Sequence, residues 1–342
     1  MVSLLRTVFR PPASSTPRMM SILAPGSIIQ GAKWNYRLIR EITKGDATHE
    51  TTVYKATVDP HKDNIKAPQW AVIKVAHDED TKRSMGLELA CYRLPKVTST
   101  PCFRRMYDVI DDSTIALEWL DNTLLEVEYH PTLENYILIK EVLRAALTSC
   151  IILGDQGFVN MDYKPSNILV SQAVTGYITV KVSDFGRVLP AGLYTNVPYA
   201  MRAPEIFLGE KCTSLSQVWA IGAMLLTWMK PSLLGVGGCP RPEIDDFWCL
   251  MKMRQLFLDQ TDFPTDDPNQ LVDLKIAREF IESQTPLRII CTFEEEAKRL
   301  GLPEAIADVL RLMLVVDMGN RPSASSILES AEFRALEQFV EI

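Results

Sequence analysis

The sequence predicts an α+β protein in two unequal parts, a small β-rich lobe leading into a larger, mainly helical one. Two patterns carry that prediction. Over residues 33–120, short β-branched and aromatic runs alternate with turn-rich breaks; beyond residue 120, apolar residues recur at steps of three and four. The composition suits a folded chain with a sizeable core, since 47% of the 342 residues are hydrophobic and 23% are charged.

Taken in order, strands are predicted at NYRLIREI (35–42), TVYKATV (52–58), WAVIKVA (70–76), RRMYDVI (104–110) and TIALEW (114–119). Between the third and fourth, TKRSMGLELACYRL (81–94) sets Met85, Leu89 and Tyr92 on one helical face, so one helix is inserted into the small sheet. A long helix follows at 136–156, with Ile139, Leu143, Leu147, Cys150 and Ile151 as its buried face. NILV (167–170) and YITVKV (177–182) read as short strands. VWAIGAMLLTWM (218–229) has 12 residues, too few to cross a bilayer, and reads as a buried core helix. Further helices are predicted at 246–258, 303–315 and 323–337, and loops at 231–243 and 259–270 from their Gly, Pro and Asp content. There is no internal repeat and no transmembrane run.

Residues 1–32 stand apart as an N-terminal extension. Arg6, Arg10 and Arg18 precede the first acid, Glu41, and Leu4, Leu5, Val8 and Phe9 fall near one face of a short helix. This is the style of a mitochondrial transit peptide, and equally of a disordered Pro/Ser-rich tail. The expected location is intracellular, cytoplasmic or mitochondrial. A net charge of -7 argues against a nucleic-acid partner. The cysteines (91, 102, 150, 212, 239, 249 and 291) are scattered without a C-x-x-C pair, as reduced packing residues would be.

Chemistry enters through an ordered series of motifs. AVIK (71–74) ends in Lys74 on a predicted strand, and Glu88 follows 14 residues later on the inserted helix. DYKPSN supplies Asp162, Lys164 and Asn167, and SDFG supplies Asp184, 17 residues beyond Asn167. MRAPE carries Glu205 and NRPSA carries Arg321. Together these motifs resemble the eukaryotic protein-kinase superfamily over about residues 34–340. VPYAMRAPEIFLG (197–209) adds a similarity to the cyclin-dependent and SR-protein kinase group.

The resemblance implies a bilobal fold. Its N-lobe (33–120) would hold a five-stranded antiparallel sheet with one helix, and its C-lobe (121–342) would be mainly helical. It implies ATP and Mg²⁺ as cofactors and a protein substrate, and leaves the oligomeric state open. Transfer of a γ-phosphoryl group is mostly positioning and charge neutralisation. Lys74, fixed by Glu88, would pin the α/β-phosphates; Glu88 is favoured over Glu79 because apolar residues flank it on the helix. Asp162 would act as base toward the attacking hydroxyl and Lys164 would neutralise the moving group, the latter pointing to Ser/Thr acceptors. Asn167 and Asp184 would hold the metal through hard oxygen ligands. Val53, Val72, Glu118, Leu120 and Leu169 would surround the base, with Leu117 guarding the back of the pocket. Glu205 and Arg321 would form a buried structural ion pair.

The departures are as informative. Only Gly45 remains of the glycine-rich phosphate cover in TKGDATHETTVYKA (43–56), while Thr48, Thr51 and Thr52 read as hairpin polarity. Val72 stands where the family usually has alanine. Asn160 and Met161 replace His-Arg before Asp162, so reading of an activation-segment phosphate, on Tyr194, Thr195 or Tyr199, is not expected at that position. Gln217 stands where an aspartate usually anchors the histidine; an Asn160–Gln217 amide–amide contact, or loss of both partners without replacement, fits these letters. Three functions follow from the whole. The leading one is a constitutively poised Ser/Thr kinase. A pseudokinase acting as a nucleotide-binding or scaffolding module is the second. A small-molecule kinase ranks last, because APE and the distal Arg-Pro are present.

Overall fold

The computed structural model describes residues 23–42, 51–61, 67–172, 177–193, 197–257 and 291–341, with isolated positions between 258 and 290. The leader-like segment up to residue 22, the phosphate-cover residues 43–50 with Gly45 and Thr48, Tyr194, Thr195 and most of the 259–270 loop lie outside the described residues.

The N-lobe sheet comprises β1 (Ile28–Gln30), β2 (Trp34–Glu41), β3 (Thr52–Pro60), β4 (Trp70–Val75), β5 (Met106–Val109) and β6 (Thr114–Glu118). Its order is β1-β2-β3-β4-β6-β5, and every pairing is antiparallel. The five expected strands are joined by a sixth, because Ile28–Gln30 adds to the edge of β2. That strand falls inside the stretch assigned to the N-terminal extension. β3 alternates buried and half-buried positions, whereas five of the six β4 residues are buried, as a central strand covered on both faces must be. One face closes over Tyr36, Leu38, Ile73 and Ala116; the other belongs to the main core.

α1 (Glu79–Tyr92) lies between β4 and β5 in the chain. Asp78 starts it with a capping box, its carboxylate accepting from the Thr81 N–H at 2.7 Å. The short α2 (Pro95–Ser99) follows it.

The C-lobe is built on α3 (Leu133–Gly154), whose face from Leu138 to Leu153 is buried, and on α5 (Ser214–Met229), buried almost all round. β7 (Asn122–Thr123) precedes α3, and between the two helices run β8 (Phe158–Asn160), β9 (Ile168–Gln172), β10 (Ile178–Val182), β11 (Val188–Pro190) and α4 (Pro204–Phe207). They pair as β10-β9-β7 and β11-β8, and the loops joining these small sheets carry the motifs. α6 (Asp245–Leu256), α7 (Phe293–Arg299), α8 (Glu304–Met313), α9 (Ala324–Leu328) and α10 (Ala331–Val340) complete the lobe.

Two differences from the sequence reading have local causes. The helix expected over 323–337 is two helices, because Ser330 caps a new start by accepting from the Phe333 N–H at 3.0 Å. α7 was not anticipated. A Thr292–Glu295 capping box starts it, glutamates fill its first turn, and Lys298 and Arg299 occupy its last, a charge order that suits the helix dipole. All seven cysteines are free and five are buried. Among the described residues no helix is long and apolar enough to cross a membrane.

Candidate active site

A single cavity between the lobes gathers most of the residues singled out in the sequence. Val53, Val72, Lys74, Glu88, Leu117, Leu120, Lys164, Asn167, Leu169 and Asp184 all line it. β3 and β4 supply its upper wall, β6 and the following residues its inner edge, and the β8–β9 connection its floor. The alternation of β4 aims Val72 and Lys74 at the cavity while Ala71 and Ile73 face the smaller core.

At one end of the cavity, Lys74 Nζ donates to Glu88 Oε2 at 2.7 Å and to Asp184 Oδ1 at 2.9 Å. Burial works against the Lys74 ammonium, but Asp184 and Glu88 outweigh it and hold its pKa above the ordinary lysine value. Glu79 is exposed and pairs with Lys82 at 3.3 Å, away from Lys74, so the geometry separates the two candidate glutamates. Asp184 holds a left-handed backbone, φ 61°, a conformation an aspartate tolerates better than most residues. Phe185 packs edge-on against Tyr92 and Phe103 at 5.2 and 5.6 Å. At Gly186, a Cβ would crowd the Ser84 side chain and come within 3.2 Å of the Ser84 carbonyl on α1, so the loop passes close to the helix here.

On the floor, Asp162 and Asn167 form one unit. Asn167 Nδ2 donates to both the carbonyl and Oδ2 of Asp162 at 2.9 Å. Lys164 Nζ lies 3.2 Å from the same Oδ2. Asp162 Oδ1 is buried without a hydrogen-bond partner among the described residues; the Arg187 guanidinium lies 4.0 Å from it. A buried carboxylate oxygen left this way is an acceptor waiting for a donor, as a substrate hydroxyl would be. Because the Asn167 amide nitrogen is committed to Asp162, its oxygen is the end left for a cation. That oxygen and the Asp184 carboxylate line one cavity and are the hard donors Mg²⁺ takes, so the residues present fit the metal nucleotide.

The support beneath this loop differs from the amide–amide contact considered above. Gln217 Oε1 accepts from the main-chain N–H of Asn160 at 2.6 Å, and Asn160 Oδ1 accepts from the Asp162 N–H at 3.0 Å. The two side chains therefore serve the backbone and not each other. Among the described residues, Asn160 Nδ2 and Gln217 Nε2 remain buried without partners.

Of the expected base contacts, Glu118 alone does not line the cavity. Its carboxylate turns away to Lys181 Nζ at 2.6 Å and to the Arg105 N–H at 3.1 Å. Neither Arg104 nor Arg187 is marked out by the sequence motifs. Arg104 falls within the strand expected over 104–110, but β5 begins only at Met106 and the Arg104 side chain lines the cavity. The available signal was the Arg104-Arg105 doublet, since neighbours on an extended chain point to opposite sides and one of the two had to turn inward. Arg187, immediately after the SDFG motif, had adjacency as its only signal.

Away from the cavity, Glu205 and Arg321 pair through both carboxylate oxygens at 2.7 and 2.9 Å. Arg321 also donates to the carbonyls of Val315 and Leu215.

Comparison with known proteins bears on the family. The family model for the protein kinase domain matches residues 51–333. Cyclin-dependent kinase-like 2 of Mus musculus is 26% identical over 244 residues, 66% of this chain and 39% of that protein. The probable cyclin-dependent kinase 8 of Dictyostelium discoideum is 24% identical over 319 residues, 83% of this chain and 77% of that protein. The serine/threonine-protein kinase PKZ1 of Phytophthora infestans is 29% identical over 111 residues, 27% of this chain and 28% of that protein. The chain spans about two-fifths of the length of the cyclin-dependent kinase-like relatives it matches. By the ordered motifs, the two-lobed fold and the extent of the family match, this chain belongs to the protein kinase family.

Proposed function

We propose that the protein transfers the γ-phosphoryl group of a magnesium nucleoside triphosphate, ATP being the donor the family implies, to a serine or threonine hydroxyl of a protein substrate. The observation that carries this reading is the paired charge at the phosphate end, Lys74 between Glu88 and Asp184, sharing one cavity with Lys164 and with Asn167, whose amide holds Asp162 just behind the lining. When bound, the metal neutralises phosphate charge; Asn167 and Asp184 are the residues that would hold it. Lys74 holds the α/β-phosphates in register. Asp162 orients the acceptor hydroxyl and takes its proton at Oδ1, and Lys164 offsets charge on the moving group.

A nucleotide-binding module without turnover is the second reading. It is favoured by Val72, which narrows the base end of the cavity, and by the glycine-poor segment 43–56. The purified protein, labelled ATP with Mg²⁺ and generic protein substrates, with Asp184→Ala as control, separate the two. Label on serine or threonine that disappears in the variant supports the kinase. A nucleotide-induced rise in Tm without any label transfer supports the silent module.

A further inference from the structure

The catalytic loop faces a cation that the transfer steps above leave unused. The two carboxylate oxygens of Asp162 have different surroundings. Oδ2 accepts from Asn167 Nδ2 at 2.9 Å and lies 3.2 Å from Lys164 Nζ. Oδ1 has no hydrogen-bond partner among the described residues and lies 4.0 Å from Arg187 Nη1. The main chain holds Arg187 in this place. Its carbonyl accepts from the Met161 N–H at 3.1 Å, and the next residue, Val188, pairs with Asn160 where β11 meets β8. The cation is thus fixed in register with the loop that carries Asp162. Whereas the Asp162 side chain is buried, that of Arg187 is 32% exposed, so a group arriving from solvent has access to it.

The 4.0 Å separation bears on what Arg187 does. It is longer than a hydrogen bond, so the arginine does not occupy the oxygen that takes the acceptor proton. It is also short enough to set a limit on the acceptor's surroundings. A hydroxyl oxygen bonded to Oδ1 at about 2.7 Å can lie no more than about 7 Å from Nη1. Adjoining residues of a bound peptide have Cα atoms only about 3.8 Å apart, so a side chain beside the acceptor spans that distance. Arginine stays charged and offers a planar fork of N–H donors, which matches both carboxylate and phosphate. We infer that Arg187 is a specificity-determining residue that selects serines or threonines carrying an anionic group, carboxylate or phosphate, on an adjoining residue. This assignment rests on the transfer reading above and names the substrate class that the same site takes. An arginine that only balanced the charge of Asp162 would act on all acceptors alike.

The test uses the full chain, ATP with Mg²⁺ and single-serine peptides that differ only in the residue beside the serine: alanine, lysine, aspartate or phosphoserine. Initial rates give kcat/KM for each. The anionic peptides should exceed the alanine peptide by about 10-fold, the scale of one charge-assisted hydrogen bond, and the lysine peptide should fall below it. Arg187→Gln should level the anionic and alanine peptides, whatever it does to their common rate. Arg187→Lys should restore part of the difference, since it keeps the charge without the fork. Preference for aspartate and phosphoserine alike marks a carboxylate as sufficient, and preference for phosphoserine alone marks a substrate phosphorylated beforehand; either result upholds the assignment. Equal use of anionic and alanine peptides by the unaltered protein, or a preference that survives Arg187→Gln, overturns it and leaves the transfer reading intact. Transfer to none of the peptides overturns the transfer reading together with it. Should Arg187→Gln fail to fold, the ranking on the unaltered protein decides alone.

Discussion

The phosphate end of the cleft and the layer supporting its catalytic loop are finished to different degrees. In the first, each buried charge has an opposite partner: Lys74 meets Glu88 and Asp184, and Lys164 meets Asp162. In the second, Gln217 secures the Asn160 N–H but leaves two amide nitrogens buried and unpaired. The difference follows from the cost of an error in each place. Breaking a buried ion pair costs about 3–5 kcal/mol, whereas an unpaired neutral polar group costs about 1–3 kcal/mol. Asn160 and Gln217, two of the changed letters, lie in the cheaper layer.

The largest effect is expected at the phosphate end. Lys74→Met leaves Glu88, fully buried and with Oε1 already unpartnered, without its cation. Denaturant unfolding should show a loss of about 3–5 kcal/mol, together with loss of nucleotide binding. A stable variant would mean that the charges at this end are not coupled as described. Glu205→Ala should cost somewhat less, about 3 kcal/mol, because Arg321 keeps its bonds to the Val315 and Leu215 carbonyls.

The supporting layer should respond more weakly. Gln217→Leu removes the acceptor for the Asn160 N–H but also removes an orphaned Nε2, so the net loss should be about 1 kcal/mol. A loss as large as that of Lys74→Met would erase the contrast between the two regions. The smallest effect is expected at the exposed Lys96–Asp155 pair, 3.1 Å apart, with side chains 59% and 52% exposed. Lys96→Ala should change stability by roughly 0.5 kcal/mol or less.

The same contrast governs what could be read from the sequence. Lys74, Asp162, Asn167 and Asp184 were legible because transfer chemistry demands fixed residue types at nearly fixed spacing, and the cavity gathers all but Asp162 along its lining. Glu88 was distinguishable from Glu79 because apolar neighbours mark the buried face of α1. β1 was not legible: three residues give too little alternation, and only pairing with β2 defines them as a strand. The Asn160–Gln217 contact was half legible, since the letters showed two changed positions but not that a main-chain N–H joins them. Arg104 escaped because its inward turn depends on a backbone bond to Val182, a residue 78 positions along the chain.

The central claim is that the paired phosphate end serves transfer and is more than a relic of it. Asp162→Asn tests it most directly, with phosphotransfer and nucleotide-induced Tm shift measured on the same preparations. The account predicts transfer by the unaltered protein that falls roughly 100-fold or more in the variant, with the Tm shift retained. Equal transfer by both proteins, or none by an unaltered protein that binds nucleotide, would contradict it.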